Sequence, residues 1–518
     1  MSSTATRPPR PDATPGTAPK YLKASTLGLT TAASIITSLR GLPMMAKEEM
    51  TMFAYILFSV VLFLIPAGLV AAELGSAFGK KAGGLYAWIT AAFGKKIGFG
   101  AIFLSWIQVL VFYPTGLSFA AVGAAFAIGK PELATNHVYV GIFAIIAFWL
   151  CTLAALVSNQ FAAKVTQAGF MLGTVVPGLV LIVGAIWWAT SGHDLGWNHA
   201  DNDAVSFLSD GHEQPRWFPH IVGLSGIAFL AGILLNFAGI ESQAVHASEL
   251  KNPGREYPIV IAIAAVMSFA IFTLGALAVA GILPYKDIDL TTGVFDAFNR
   301  LFDAMMGSTW PVYVLGVLIT YGALAGILAW ITGPSRGLLA TAHDGLLPPF
   351  MQKVNARGVQ SNILIIQACL VTLLCCIYFV VKDVSTAFFL ISAMAVSLYL
   401  IIYMVMYAAA IHLRRTQPDL PRPFEIPGGR AGMGAFAGIG FAACLFAFVL
   451  AFVPPSQLPI GSPAMYVLMV AGGAIIFSAI PFIVERFKKP SWLPPEDVKK
   501  ASLGPSGEHL PHPNPEPR

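Results

Sequence analysis

The sequence predicts an all-α integral membrane protein with twelve transmembrane helices, and three observations carry that prediction. Hydrophobic residues make up 56% of the 518 and charged residues only 11%, against roughly 25% charged in ordinary globular chains. A chain this poor in charge lacks the polar surface that keeps a soluble protein dispersed. Twelve apolar stretches also approach or exceed the ~20 residues that a helix needs to cross the hydrocarbon core. Finally, Lys and Arg are distributed unevenly. With both termini inside, inward segments hold 24 of them and outward segments 6, with Arg40 left inside the membrane, as the positive-inside rule requires.

Residues 1–24 are Pro-, Thr- and Ala-rich and lack the apolar core of a cleavable signal peptide. They read as a disordered cytoplasmic N-terminus, with the first span acting as insertion signal. The spans follow at 25–44, 52–72, 98–127, 138–157, 165–189, 221–246, 258–283, 311–341, 361–382, 384–412, 431–453 and 463–484. Connecting segments carry charges or breakers, such as Lys80-Lys81, Lys95-Lys96, Asn252-Pro253-Gly254 and Pro427-Gly428-Gly429. The outward loop at 190–220 is acidic, with Asp194, Asp201, Asp203, Asp210 and Glu213. Residues 488–518 form a Pro-rich tail with His509 and His512 and read as disordered.

Two spans are irregular. Span 1 is interrupted at Leu39-Arg40-Gly41-Leu42-Pro43 and span 6 at Phe237-Ala238-Gly239-Ile240-Glu241. Each interruption places a charge and a glycine at mid-depth, and the two sit five spans apart. That spacing is what a 5+5 inverted repeat with discontinuous helices 1 and 6 produces. One membrane domain then covers 25–487, with repeat one at 25–189, repeat two at 221–412 and two extra helices at 431–484. The segment Gly83-Gly84-Leu85-Tyr86-Ala87-Trp88 after span 2 is amphipathic. So is the one after span 7, where Val294, Phe298, Leu301, Phe302 and Met305 fall at helical spacing; an inverted repeat puts such elements on opposite sides, and two unrelated interfacial helices is the competing reading.

Non-helical backbone survives in a membrane only when buried in protein or lining a wet cavity. A break in span 1 frees N–H groups near Gly41 and Leu42, which suit a carboxylate. A break in span 6 frees carbonyls near Phe237, Ala238 and Gly239, which suit an ammonium group. Together they fit the two ends of an α-amino acid; two plain kinks is the alternative. Arg40 either clamps a substrate carboxylate or pairs structurally with Glu241 or snorkels outward. Glu241 is either a proton carrier, since burial raises a carboxyl's affinity for its proton, or a fixed acceptor for the frayed ends of span 1. His246 and Glu249 share a helix face as an inner polar gate, with no further ligands to make a metal site. Lys164 either neutralises an acid at the inner mouth or anchors span 5. Trp330, among small residues of span 8, is either an aromatic gate over substrate or a packing residue.

The stretch Gly239-Ile240-Glu241 with Lys251-Asn252-Pro253-Gly254-Arg255-Glu256-Tyr257-Pro258 resembles the amino acid–polyamine–organocation superfamily, as does Pro66-Ala67-Gly68-Leu69 running into Ala72-Glu73. Trp330-Ile331-Thr332-Gly333-Pro334-Ser335-Arg336-Gly337, Leu346-Leu347-Pro348, Arg422-Pro423-Phe424 and Ile426-Pro427-Gly428-Gly429 narrow the resemblance to the glutamate/GABA antiporter subfamily, over about residues 22–487. The resemblance implies a secondary transporter with a site between spans 1, 6, 8 and 10. It implies proton-influenced exchange of an amino acid for a related one or for its decarboxylation product, and a substrate-facing Trp330. Two positions depart from the subfamily: Arg40 stands where an aromatic residue is usual, and Gly326 where an acid is usual. Both make the pocket more positive and favour carboxylate-bearing substrates over amines. Proton symport and amino acid sensing are the alternatives.

The chain is expected to work without a cofactor and without covalent chemistry, since no catalytic motif is present. Rings of like charges that would mark a channel are lacking too. The five cysteines all lie in apolar stretches and read as small buried hydrophobes. A net charge of +5 reflects inward loops and implies no nucleic-acid partner. Expected partners are a small amino acid or amine, the lipid bilayer and, as a further option, a second copy in a homodimer. The expected location is the plasma membrane, as a bacterial inner-membrane protein with both termini cytoplasmic.

Overall fold

The computed structural model describes residues 22–79, 83–198, 217, 224–381, 383–454 and 462–493, with the side chains of Glu49, Ser248, Glu249 and His343 outside that set. The described residues are helical throughout apart from turns, and their single β-type pairing is an isolated bridge between Leu22 and Leu250.

Among the described residues ten helices are long and apolar enough to cross a membrane: α3 (Met52–Ala77), α5 (Lys95–Ala127), α6 (His137–Val157), α7 (Asn159–Thr190), α9 (Pro253–Ile282), α11 (Trp310–His343), α12 (Ser361–Val380), α13 (Val384–Thr416), α14 (Gly429–Ala451) and α15 (Pro463–Arg486). Two further apolar stretches are interrupted. The first runs as α1 (Ala24–Ile36), a turn, and α2 (Leu42–Ala46); the second contains α8 (Phe229–Asn236) and a tight turn at Ala244–Glu249. Two amphipathic helices, α4 (Leu85–Phe93) and α10 (Gly293–Met306), follow α3 and α9 respectively. On α10, Val294, Phe298, Leu301 and Phe302 are buried while Met305 is exposed.

Starts are set by side chains that satisfy orphan N–H groups. Asn136 Oδ1 accepts from Val138 and Tyr139 N–H at 3.0 and 3.1 Å, Ser158 from Phe161, and Asp383 from Thr386. Lipid tails give apolar helices no hydrophobic reason to associate, so close packing does. Gly173 of α7 and Gly322 of α11 meet backbone to backbone; a Cβ at Gly322 would stand 2.6 Å from the Gly173 carbonyl oxygen. Gly316 of α11 lies likewise against Gly123 and Ala127 of α5. These contacts wedge α5, α7 and α11 into one block. Helix α5 is buried along almost its whole length, whereas α15 buries only Tyr466, Val470, Ala474 and Pro481. The first is the axis of the bundle and the second its periphery.

Candidate functional site

The interruption of the first stretch falls at Thr37 and Ser38, two residues before the expected position. Thr37 has φ +50°, the one positive value among described non-glycine residues, and Ser38 is extended. Ser38 Oγ caps the turn that follows by accepting the Arg40 N–H at 3.4 Å. Arg40, Gly41 and Leu42 thus lie in the first turn after the break, where the Arg40 N–H is taken by Ser38 Oγ and the Leu42 N–H by the Leu39 carbonyl. Pro43 does not end a helix but sits in the first turn of α2, where its missing N–H costs nothing.

In the second stretch α8 ends at Asn236, and Gly239 adopts φ +112°, which side-chain-bearing residues avoid. The Gly239 N–H donates to Tyr403 Oη at 2.8 Å. The two breaks touch. Gly41 lies so close to Asn236 that a Cβ on it would stand 2.6 Å from the amide oxygen. Gln243 Nε2 donates to Ser34 Oγ at 2.8 Å. Trp330 spans both: its Nε1 donates to the Ser34 carbonyl at 2.8 Å and to Thr37 Oγ1 at 3.2 Å, and its ring lies 3.0 Å from where a Cβ on Gly239 would be.

Arg40 is 7% exposed. Its guanidinium lies 4.3 Å from the centroid of Phe112 on α5 and 5.9 Å from that of Phe388 on α13. Its Nε is buried without a hydrogen-bond partner, and among the described residues no carboxylate pairs with it. Glu241 is engaged elsewhere: Tyr399 Oη donates to Oε1 at 2.5 Å and Tyr403 Oη donates to Oε2. Its oxygens are therefore held by α13, not by Arg40 and not by the ends of span 1. Phe112, Trp330, Tyr399 and Tyr403 form a continuous aromatic wall, with Trp330 6.1 Å from Phe112 and 6.0 Å from Tyr399.

The remaining sequence candidates lie apart. His246 contacts Arg336 Nη1 at 3.2 Å, below the cluster along α11. Lys164 is exposed on α7. The Glu249 side chain falls outside the described residues. Among the described residues no group of three His, Cys, Asp or Glu could hold a metal. Sequence reasoning missed Tyr399, Tyr403, Phe112, Asn236 and Ser34. The tyrosines did leave a signal: Tyr399, Tyr403 and Tyr407 recur every fourth residue, presenting three hydroxyls along one face of an otherwise apolar span.

Gly326 explains itself once the backbone is in place. The Thr37 carbonyl carbon would lie 2.9 Å from a Cβ there, so α11 has room for no side chain beside the break. Two surface cavities beside the end of α13, by contrast, do not touch this cluster.

A family model described as amino acid permease matches residues 23–475. The chain is 34% identical over 451 residues to a protein of Legionella pneumophila named as an uncharacterized transporter, covering 87% of this chain and 94% of that one. It is 28% identical over 456 residues to a glutamate/gamma-aminobutyrate antiporter of Lactococcus lactis, covering 87% and 88%. A probable agmatine/putrescine antiporter of the same species is 22% identical over 437 residues, covering 80% and 86%.

Proposed function

The chain belongs to the amino acid permease family, and from that premise we propose that it is a secondary antiporter exchanging carboxylate-bearing amino acids by alternating access. The observation that carries the reading is the contact of two broken helices under one tryptophan. Broken helices offer opposite partial charges, positive at the helix start after the first break and negative at the helix end before the second. An α-amino acid presents the matching pair. In this reading Arg40, Gly41 and Leu42 receive a carboxylate, Phe237, Ala238 and Gly239 receive the ammonium group, and Trp330 closes over both. The framework is twelve spans, with spans 1–5 and 6–10 as an inverted repeat and α14 and α15 added.

The charge state of the site supports a carboxylate. A buried cation without an anion is costly, since removing one partner of a buried pair costs about 3–5 kcal/mol. The face of Phe112 offsets only about 0.5–2 kcal/mol of that. A substrate carboxylate beside Arg40 supplies the missing charge. Glu241, with both oxygens engaged, is a strut holding the second break to α13 in this reading, and Lys164 an anchor. The antiporter names of the Lactococcus relatives support exchange over one-way transport.

Counterflow in proteoliposomes tests the proposal, with a panel of amino acids and amines loaded inside and the pH varied. Labelled amino acid should enter only against internal amino acid, and Arg40→Ala should abolish uptake of carboxylate substrates while the protein stays folded. Labelled substrate running down its gradient with an empty interior would remove the exchanger reading. Unchanged affinity in Arg40→Ala with lowered stability would make Arg40 structural.

A further inference from the structure

Two cavities open side by side where the end of α13 meets the start of α14, far from the broken helices. They measure about 410 and 540 Å3 and share Ile411 and Arg415 in their walls. One is mainly apolar, with Phe93 at the end of α4 and Phe441 of α14 facing Ile411. The other is basic, walled by Arg414, Arg415 and Arg430. Together they make one groove with a charged end and an oily end.

The cations are not equally committed. Arg414 is held by Glu73, Nε to Oε1 at 3.1 Å. Arg415 and Arg430 are exposed, and among the described residues neither has an ion pair or a side-chain hydrogen bond. The groove stays open because Gly438 in its oily half and Gly434 in its basic half are one turn apart on α14, and a Cβ on either would meet nothing within 4 Å. Pairs of free arginines at the end of membrane helices, above an unfilled apolar channel, match an ionised phosphodiester joined to acyl chains. A free phosphate would use only half of the groove.

We propose that this groove is a binding site for an anionic phospholipid, its phosphate between Arg415 and Arg430 and an acyl chain along Ile411, Gly438 and Phe441. The site is independent of the transport reading. Each of the two arginines contributes about fivefold to binding, since a basic residue near an anionic lipid surface is worth about 1 kcal/mol.

The test uses the full chain in detergent and in nanodiscs. Native mass spectrometry would count phosphatidylglycerol bound after mixing with phosphatidylglycerol and phosphatidylcholine in competition. The unmodified protein should retain phosphatidylglycerol in preference. The Arg415→Gln, Arg430→Gln double variant should lose about 30-fold in apparent affinity, and Gly438→Leu should lose the lipid while keeping both cations. Thermal unfolding of both variants should match the parent, which separates a lost site from a lost fold. Equal retention of phosphatidylglycerol by the double variant would overturn the proposal. So would displacement of the lipid by millimolar inorganic phosphate, which would make the groove a site for a free anion.

Discussion

At the level of single residues, the site is organised by polar groups that have no choice of partner. Tyr403 is the clearest case. Its hydroxyl donates to Glu241 and at the same time accepts the Gly239 N–H at 2.8 Å. One phenol therefore fixes both the left-handed glycine and the carboxylate two residues later. Its removal would leave a buried N–H and one carboxylate oxygen unsatisfied, at about 1–3 kcal/mol for each group. Tyr403→Phe should therefore lower thermal stability and slow exchange, because the second break loses its brace. Tyr399→Phe should cost less, since the Tyr399 hydroxyl donates to the carboxylate but holds no backbone N–H. A double-mutant cycle measured by thermal unfolding checks this: the two effects should fail to add, as the tyrosines share one acceptor. Strict additivity would mean that Glu241 is not the shared partner. Gly326 makes the complementary point. The sequence exposes the lack of an acid there, but only the closeness of Thr37 gives the reason.

At the level of elements, what the sequence made legible was where helices had to fail, and what it hid was how they failed. Charge and glycine in mid-span marked both interruptions. In span 1 Gly41 and Pro43 are the strongest breakers by composition and draw the expected interruption to Leu39–Pro43, which overlaps in part the non-α backbone that runs from Thr37 to Gly41. Proline, however, is well placed in a helix's first turn, so the break moved upstream to Thr37 and Ser38. The aromatic wall was hidden for a different reason, since Phe112 and Tyr399 are ordinary span residues until packing brings them to Arg40 and Glu241. Glu73 of α3 was legible only as a motif residue. It is 1% exposed and receives Arg414, Arg422 Nε at 3.3 Å and the Ile426 N–H at 2.8 Å. Arg422 also donates to the carbonyls of Leu413, Gln417 and Leu420, so this one carboxylate ties α3 to the turn after α13. Glu73→Gln would leave Arg422 without its anion and Arg414 with only the exposed Glu425, 3.5 Å away. A loss of about 3–5 kcal/mol is expected, read as a fall in the melting temperature; an unchanged melting temperature would show the cluster to be dispensable. On α10, burial and the nearby Asp289 and Asp287 raise the Asp296 carboxyl to about 6, although Thr292 Oγ1 donates to it. A carboxyl whose proton binds more tightly in the folded state destabilises as pH rises through that value. Thermal stability should therefore fall between about pH 4 and 6 by more in the parent than in Asp296→Asn. Identical pH profiles would show that Asp296 does not titrate in that range.

At the level of the whole molecule, contacts on both sides of the broken helices are closed at once. On one side Lys47 Nζ donates to the Ile288 carbonyl at 2.8 Å, and Asp289 accepts from Ser385 Oγ at 3.0 Å. On the other, Tyr86 Oη donates to Asp344 at 2.6 Å, and Lys95 pairs with the same carboxylate at 3.2 Å. Between them Arg40, Glu241 and Trp330 are buried. A protein that moves solutes between two aqueous phases has to open these sets one at a time, because opening both would make a pore and opening neither would trap the substrate. The block formed by α5, α7 and α11 is held backbone to backbone, so it is the less deformable part. The contact of Asp289, which follows α9, with Ser385, at the start of α13, is where movement of the broken-helix group against the rest should be felt. Replacing both with cysteine, Asp289→Cys and Ser385→Cys, places two thiols where two side chains already touch. Oxidation should halt exchange in proteoliposomes and reduction should restore it, while each single variant exchanges in either condition. Full exchange with the bridge formed, verified by thiol labelling, would show that this side does not open during transport. The moving boundary would then have to lie elsewhere in the bundle.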